Sequence, residues 1–495
     1  MSTTTAQRAT SATGAVNAGY RTLWRWHFYA GLFVMPFLVV LAVTGTLYCF
    51  QPQIEPLLYP HRLIVEPQAT TPRLTEDALL AKARAAMPAD ARAVTAPIAS
   101  APDRSTEFIF RLADGEKQSV YLNPYSGEVL GTLSVERRFM QVDRMLHRKL
   151  LLGKPGELLM ELAACWTLVM IGSGIALWWP REKTTARAAL VPRFSLQGRA
   201  LWKNLHAVMG IWLALGALIF VLSGLPWTGS WGKQFKVLAS AANLGAPPGS
   251  WGGLPLRSAL PGVRADKHSG TADTGAEAQA AHGAHQANMD SMPGMVMDDL
   301  PLPLTPWAVG NTPVPQSADA HAAQALPLGR IVALVASLGV QSGYDIVLPA
   351  SATGVYTVSY FPADPKNERT LYIDQYSGTV LKDIRYGDYG AVSKAVSYGT
   401  SLHMGRYFGV ANQILCAVIS LGLAGMAVTG CVMWWKRRPQ RSLGAPSRER
   451  AAPPMRGWKT GLVLLGIVFP LMGATLLAVW LADRTIFGRA TRQAA

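Results

Sequence analysis

The stretch Trp24–Phe33, "WRWHFYAGLF", places a histidine at the start of a long apolar segment. Residues 28–50 contain no Asp, Glu, Lys or Arg, and similar uncharged runs cover 162–180, 204–232, 407–435 and 460–482. At 1.5 Å per residue, each run is about long enough to cross ~30 Å of hydrocarbon. The sequence therefore predicts five transmembrane helices, the first of them a retained signal anchor.

Basic residues are concentrated in three segments, 1–26, 181–203 and 436–459, which together hold 17 Lys or Arg and two Glu. These segments account for almost all of the net charge of +16. Loops rich in Lys and Arg stay in the cytoplasm, so the charge indicates a lipid bilayer as partner rather than nucleic acid. The segments expected outside are 51–146, 233–402 and a tail, 483–495.

The first and third spans repeat each other around a histidine. His27 is followed by Gly31 and, 18 residues after the histidine, by Gly45. Glycines at these spacings lie on the histidine's face of a helix, one and five turns away. They would either let a flat group approach the backbone or simply allow helix–helix contact. The third span has the same spacing in His206, Gly210 and Gly224.

The second and fourth spans also repeat each other. His147 precedes Gly153 by six residues, and His403 precedes Gly409 by six; a Trp-Trp pair follows each histidine after 31 residues. The charge pattern puts these two histidines at the outer ends of their spans and His27 and His206 at the cytoplasmic ends. Interfacial anchoring is the alternative interpretation. Since the four cysteines all fall inside apolar runs, a disulfide framework is not expected and free buried thiols are.

Each outside segment has the pattern of a small α+β domain. Residues 75–87 predict an amphipathic helix, and the alternating residues 106–131 predict strands joined by an Asp114-Gly115 turn. In the second copy, residues 326–339 predict the helix and 354–383 the strands. Both copies end on a Tyr-Ser-Gly turn.

These strand ends, "YLNPYSGEVLG" and "YIDQYSGTVL", resemble PepSY domains. The segments "LHAVMGIWLALG", "SGLPWTGSWG" and "WWPR" resemble the PepSY-associated transmembrane family of bacterial inner-membrane proteins, and the resemblance covers roughly residues 20–440. Members of that family include iron-regulated membrane proteins and ferric-siderophore reductases. The resemblance implies two b-type haems held by histidines of the spans.

On this resemblance, each histidine pair becomes the bis-His ligand set of one haem. His27 and His206 would hold the cytoplasmic-side haem, and His147 and His403 the outside haem, because haem iron in a membrane electron carrier takes two axial imidazoles from different helices. The glycines four and 18 residues after His27 and His206 would lie on the helix face along which the haems pack. Haem propionates need cations, and those close in sequence on the outside face are Arg144, Arg148 and Arg406. Positive-inside bias does not explain cations there, which makes Arg144 and Arg148 the stronger candidates.

Residues 244–326 are rich in Ala, Gly and Pro and predict a disordered insertion that haem binding does not need. A Met/His-rich run within it could form a weak Cu(I) site, since thioether and imidazole ligands are soft. Low-complexity drift explains the run equally well. The candidate ligands are His282, His285, Met289, Met292, Met295 and Met297.

The sequence contains no motif for nucleotide, nicotinamide, flavin or c-type haem. Electrons would therefore come from quinol or from a separate cytoplasmic donor. With the resemblance, this predicts an inner-membrane, haem-dependent reductase that delivers electrons to a ferric siderophore or related ferric chelate in the periplasm. Two alternatives stay open: a haem-free, membrane-anchored PepSY protein with a binding or regulatory role, and a copper-handling protein or cupric reductase.

The expected fold is an α-helical membrane protein with five transmembrane helices, two repeated pairs plus one, and two small α+β PepSY-type periplasmic domains. The spans are expected at 27–50, 147–180, 204–232, 403–435 and 460–482, with the second and fourth including the turn that carries the histidine.

Overall fold

The computed structural model describes residues 19–99, 101–179, 186–247, 295–318, 324–439, 444–446 and 454–485. The chain divides into two compact units. The membrane unit comprises Met1–Phe50, Asp143–Phe235 and Leu402–Ala495, and the sheet unit comprises Gln51–Val142 and Lys236–Ser401. Each unit therefore draws on both sequence repeats.

In chain order, the α-helices are α1 (Tyr20–Cys49), α2 (Gln51–Leu58), α3 (Pro60–Leu63), α4 (Glu76–Ala85), α5 (Phe139–Lys149), α6 (Gly153–Trp178), α7 (Ala186–Leu190), α8 (Gly198–Gly224), α9 (Trp231–Ala241), α10 (Leu328–Ser337), α11 (Ala391–His403), α12 (Val410–Arg437), α13 (Arg456–Val468) and α14 (Pro470–Thr485). The strands are β1 (Arg92–Ile98), β2 (Thr106–Arg111), β3 (Lys117–Leu122), β4 (Val129–Ser134), β5 (Tyr344–Val347), β6 (Val355–Tyr360), β7 (Arg369–Asp374) and β8 (Val380–Arg385).

Four helices of the described chain are long and apolar enough to cross a membrane. They are α1, α6, α8 with its 3-10 extension Leu225–Trp227, and α12. Helix α1 packs against α6 and α12, and α8 packs against the same two helices. The two helices of each repeat are thus neighbours, and the four spans form a closed ring.

Helix α6 begins well before the uncharged run that predicted it. It starts at Gly153 and includes Glu161, whose side chain is 2% exposed. This carboxylate accepts hydrogen bonds from the backbone N–H groups of Ser230 and Trp231, each at 3.1 Å. The buried carboxyl group thus has hydrogen-bond donors at the N-terminus of α9.

His147 and His403 each lie at the end of a helix that precedes a span. After α5, the chain turns through Leu150 and Leu151, which have φ values of 52° and 58°, before α6 begins. After α11, it turns through Gly405 and Gly409, with φ of 70° and 57°. The expected turn before each span is present, and it separates the histidine from the span proper.

The apolar run at 460–482 does not form the expected single crossing. It is divided between α13 and α14, of 13 and 16 residues, each shorter than the ~20 residues that a crossing needs. The chain reverses at Phe469, because Pro470 keeps the preceding residue out of the helical conformation and lacks an N–H. Past the bend the backbones come very close, since a Cβ on Gly473 would lie 2.5 Å from the carbonyl oxygen of Gly466.

Both ends of this hairpin lie at the end of the membrane unit that carries His27, here called the inner end. Asp483 forms an ion pair with Arg25, and Tyr29 donates a 2.9 Å hydrogen bond to the same carboxylate. The bend at Phe469 packs instead on Trp231. The expected fifth crossing is therefore a hairpin of two short helices, and 483–485 lie at the inner end rather than beyond a crossing; 486–495 lie outside the described residues. Hydropathy does not distinguish one crossing from a hairpin of equal length.

A topology reporter placed after Thr485 is expected to report the same side of the membrane as one placed after Val191. A reporter in the Asp114-Gly115 turn is the opposite-side control, since α1 separates that turn from the inner end. If the Thr485 reporter matched the Asp114 reporter, the segment would be a single crossing and the hairpin would be excluded.

The strands of both repeats form one antiparallel sheet rather than the two separate domains expected. Its strand order is β4-β3-β2-β1-β5-β6-β7-β8. Strands β1 and β5 join the halves, with Thr95 opposite Val347 and Ile98 opposite Tyr344. An isolated copy would leave β1 as an open edge, and pairing with the second copy satisfies its backbone groups.

One face of the sheet is covered by α4 and α10, which occupy the residues expected for the helices of the two copies. Leu79 and Ala83 of α4 and Ile331 and Val335 of α10 are buried against apolar side chains of the sheet. The two halves therefore share one hydrophobic core.

Part of the expected disordered insertion is folded. Residues 295–318 pack on the sheet unit: Met297, Trp307 and Val309 are at most 2% exposed. The Tyr372 hydroxyl donates to the sulfur of Met297 at 3.3 Å. The boundary at 244–326 was therefore too wide, because composition over a long window conceals a short segment with its own buried anchors. Residues 248–294 lie outside the described residues.

Candidate functional site: two histidine pairs in the membrane unit

The structure brings the four repeat-related histidines together as two pairs. The rings of His27 and His206 have their centroids 6.2 Å apart and are inclined at 84°. The rings of His147 and His403 are 6.4 Å apart and inclined at 89°. We call these the inner and the outer pair.

In the inner pair, each ring is hydrogen-bonded to a hydroxyl on the other span of its own repeat. The Nδ1 atom of His27 lies 3.0 Å from the Ser173 hydroxyl on α6. The Nδ1 atom of His206 lies 2.8 Å from the Thr429 hydroxyl on α12. The ring orientation is therefore set by the neighbouring span.

The outer pair has the same arrangement with the roles of the spans exchanged. The Nδ1 atom of His147 lies 2.9 Å from the Thr44 hydroxyl on α1. The Nδ1 atom of His403 lies 2.9 Å from the Ser223 hydroxyl on α8. The repeat thus uses one hydroxyl partner for each of its histidines.

The hydroxyls determine which ring nitrogen carries the proton. A hydroxyl has one proton to donate. Each of the four also bonds a backbone carbonyl of its own helix: Thr44 donates to Val40 at 2.6 Å, for example, and Ser223 to Ile219 at 2.6 Å. The hydroxyl must then accept from Nδ1–H, which leaves Nε2 with a lone pair for a ligand bond.

A glycine follows each hydroxyl residue and leaves room for the imidazole. A Cβ on Gly174 would lie 3.2 Å from Cε1 of His27, and one on Gly45 would lie 3.3 Å from Cε1 of His147. The corresponding distances for Gly224 to His403 and for Gly430 to His206 are 3.7 and 3.6 Å. Gly45 and Gly224 therefore face the outer histidine of their own repeat.

Sequence reasoning missed the partners of the inner pair, Ser173 and Thr429. A signal for them existed, because each lies 26 residues after the outer histidine of its repeat and is followed by glycine.

The two glycines four residues after the inner histidines differ in their surroundings. A Cβ on Gly31 would meet nothing within 4 Å, whereas one on Gly210 would lie 3.1 Å from the Met426 methyl group.

Cations converge near the outer pair. Tyr48 lies one turn after Thr44 on α1, and its hydroxyl hydrogen-bonds to Arg144 and lies in the field of Arg148 and Arg406. Arg148 also donates to the carbonyl oxygen of Trp227 at 3.1 Å. The two arginines expected to bind anionic groups are thus at the outer end, with Arg406 as a third.

Both rings of the outer pair are neutral at physiological pH. Burial, and after it the charges of His403 and Arg148, lower the pKa of His147 to about 3. Burial lowers the pKa of His403 to about 4, although a backbone hydrogen bond with Phe220 opposes the shift. Neutral imidazole is the form that binds a metal.

The separation within each pair fits an iron ion between two imidazoles. Two metal–nitrogen bonds of ~2 Å, with ~1.1 Å from each nitrogen to its ring centre, separate the ring centres by about 6 Å. With Nδ1 engaged, Nε2 is the nitrogen available to the ion on each side.

The expected copper site stays a prediction, because the structure describes only two of its six candidate ligands. His282, His285, Met289 and Met292 lie outside the described residues. Met295 is described, and Met297 is buried with its sulfur bonded to Tyr372. Among the residues that the structure describes, no three His, Cys, Asp or Glu side chains cluster as a metal site.

A model of the PepSY-associated TM region matches residues 24–437, most of the chain. The chain belongs to the PepSY-associated transmembrane family. No curated protein matches it. Membership of this family and the apolar helices indicate that the protein is a membrane protein, and all four histidines and their hydroxyl partners lie inside the matched region.

Proposed function

We propose that the protein is a di-haem electron-transfer protein of the bacterial inner membrane that reduces a ferric siderophore or related ferric chelate on the periplasmic side. The inner end is assigned to the cytoplasm because basic residues cluster in the loops at that end. The electron donor is quinol or a cytoplasmic protein.

One observation supports this proposal above the others: two histidine pairs of the same geometry lie at opposite ends of one four-helix ring. His27 and Thr44 are 17 residues apart on α1, so the inner and outer pairs are separated by about 25 Å along that helix. Anchoring at the membrane surface does not require two imidazoles at ~6 Å with a fixed tautomer.

A bound haem supplies a reversible one-electron couple at each pair. The side chains of the protein hold that couple in place. The histidines would ligate from α1 and α8 at the inner end and from α5 and α11 at the outer end, so each site crosslinks the two repeats. The serine and threonine hydroxyls keep each ring in one orientation.

The outer pair is the proposed exit for electrons. Arg144, Arg148 and Arg406 lie near it and provide positive charge for haem propionates or for an anionic chelate. Reduction releases the metal because hard oxygen ligands hold Fe(III) far more tightly than Fe(II).

The test is an absorption spectrum and a haem assay of the purified full-length protein. We expect a reduced b-type band and about two haems per chain. Because the paired rings are nearly perpendicular, the ferric protein should give strongly anisotropic low-spin EPR signals. A colourless preparation that takes up no haem would refute the proposal and favour the haem-free PepSY protein.

Replacing Thr44 with valine is expected to weaken haem binding at the outer pair by roughly 10- to 100-fold, because the Nδ1–H of His147 loses its acceptor. The measurement is haem retention and midpoint potential during redox titration. Thr46→Val is the matched control, since Thr46 lies on the same helix and its hydroxyl bonds only the carbonyl of Ala42 among the contacts described. Equal behaviour of the two variants would contradict a role for the hydroxyl.

A further inference from the structure

Two of the four cysteines lie side by side at the outer end of the membrane unit. Cys49 is the last residue of α1, and Cys416 is in the second turn of α12. The two residues are 5% and 3% exposed, and both sulfurs lie 3.7 Å from one atom, the carbonyl oxygen of His403. All four cysteines are free thiols as expected, but these two are not isolated.

Both thiols contact the backbone at the end of α11. Cys416 donates to the carbonyl oxygen of Leu402 at 3.2 Å and lies 3.7 Å from that of His403. Cys49 donates to the same His403 oxygen at 3.7 Å. The Asn412 amide donates to the Leu402 oxygen at 3.0 Å and to the Cys416 sulfur at 3.3 Å. The thiols therefore satisfy carbonyl groups beside a histidine of the outer pair.

The other repeat builds the corresponding corner without thiols. The spacing that aligns the histidines aligns Cys49 with Thr228 and Cys416 with Met160. Thr228 donates to the carbonyl oxygen of Leu225 at 2.9 Å, and Met160 is buried. Packing at this corner does not depend on sulfhydryl groups, so the thiol pair adds a chemical property that the fold itself does not need.

We propose that Cys49 and Cys416 form a reversible disulfide, which makes the outer end of the membrane unit an oxidation-sensitive site. The oxidant is a small two-electron peroxide, because burial excludes a protein oxidant. One thiolate attacks the peroxide oxygen and becomes a sulfenic acid with release of water; the other displaces a second water. Overall, two thiols and one hydrogen peroxide give one disulfide and two waters. A small dithiol reverses the reaction by exchange.

The disulfide would change the surroundings of His403. Bond formation brings the sulfurs to ~2.05 Å and removes both S–H donors from the carbonyls of Leu402 and His403. A shift of this backbone moves the ring that Ser223 orients. The effect on a haem rests on the proposed function, whereas the disulfide itself does not.

The experiment uses the full-length protein in detergent, treated with equimolar hydrogen peroxide, alkylated and digested for mass spectrometry. We expect a linked peptide containing Cys49 and Cys416, which a dithiol abolishes. Cys49→Ser keeps a donor to His403 and should give no linked peptide. Cys165→Ser is the matched control on another span and should not alter the linkage. Two unlinked, separately alkylated or oxidised cysteines in the folded protein would overturn the proposal.

A redox titration tests the coupling. Oxidation should shift the midpoint potential and EPR signal of the outer haem in the wild-type protein and leave those of Cys49→Ser unchanged. The variant Cys49→Thr, Cys416→Met carries the residues of the other repeat and should fold and resist oxidation. If the disulfide forms but the potential and EPR signal of the outer haem do not shift, the disulfide is confirmed and its coupling to His403 is refuted. A linkage in a protein that binds no haem would refute the proposed function alone.

Discussion

Replacing His147 and His403 together with alanine is expected to remove one of two haems and to abolish reduction of an external ferric chelate. Their rings face each other at 6.4 Å, so the double variant leaves the outer haem no axial ligand. The inner haem should stay bound and should still be reduced by the donor. The measurements are haem stoichiometry, the spectrum with donor alone, and the rate of ferric chelate reduction.

His61→Ala is the control for this variant, because His61 lies on α3 and outside both pairs. It should keep both haems and full chelate reduction. One haem in the wild-type protein, unchanged in the double variant, would show that His147 and His403 are not ligands. Retained chelate reduction after loss of the outer haem would place the electron exit elsewhere.

Alanine at His27 and alanine at His206 are expected to remove the same haem. The two rings lie 6.2 Å apart although they come from different repeats. Each single variant should therefore lose about half of the bound haem and the same EPR signal, because one imidazole does not maintain a bis-His site. Neither variant should be reducible by the donor at the outer haem, since the inner pair is the proposed entry.

Combining the two substitutions separates a shared site from two independent ones. The double variant should lose no more haem than either single variant, because residues that act as a unit are not additive. If the His27 and His206 variants lost different signals, or if the double variant lost all haem, the two residues would ligate different haems.

The four crossing helices could be predicted from sequence because an apolar segment of membrane length has few alternatives in lipid. The repeat spacings also put His27 and His206 at one depth and His147 and His403 at another. The helices α4 and α10 and the strands β2–β4 and β6–β8 were likewise predictable, since their periodicities are local, whereas β1 and β5 lie outside the predicted stretches 106–131 and 354–383.

Contacts between distant segments were decided by the tertiary structure. The pairing of β1 with β5 joins strands about 250 residues apart, and the residue pattern of neither strand identifies the strand with which it pairs. Pro470 marks the break between α13 and α14, but only the structure shows that the far end of the hairpin pairs Asp483 with Arg25. A hydropathy profile gives the length of an apolar segment, but it does not show which carboxylate pairs with which cation.

The candidate site is divided in the same way. The sequence by itself determined which histidines match and at which end of the spans they lie, because repeat spacing and charge are linear properties of the chain. Only the tertiary structure showed that the hydroxyls of Ser173 and Thr429 hold the inner rings and that Cys49 meets Cys416. Such contacts join different helices, so they depend on how the spans pack and rotate rather than on spacing along one of them.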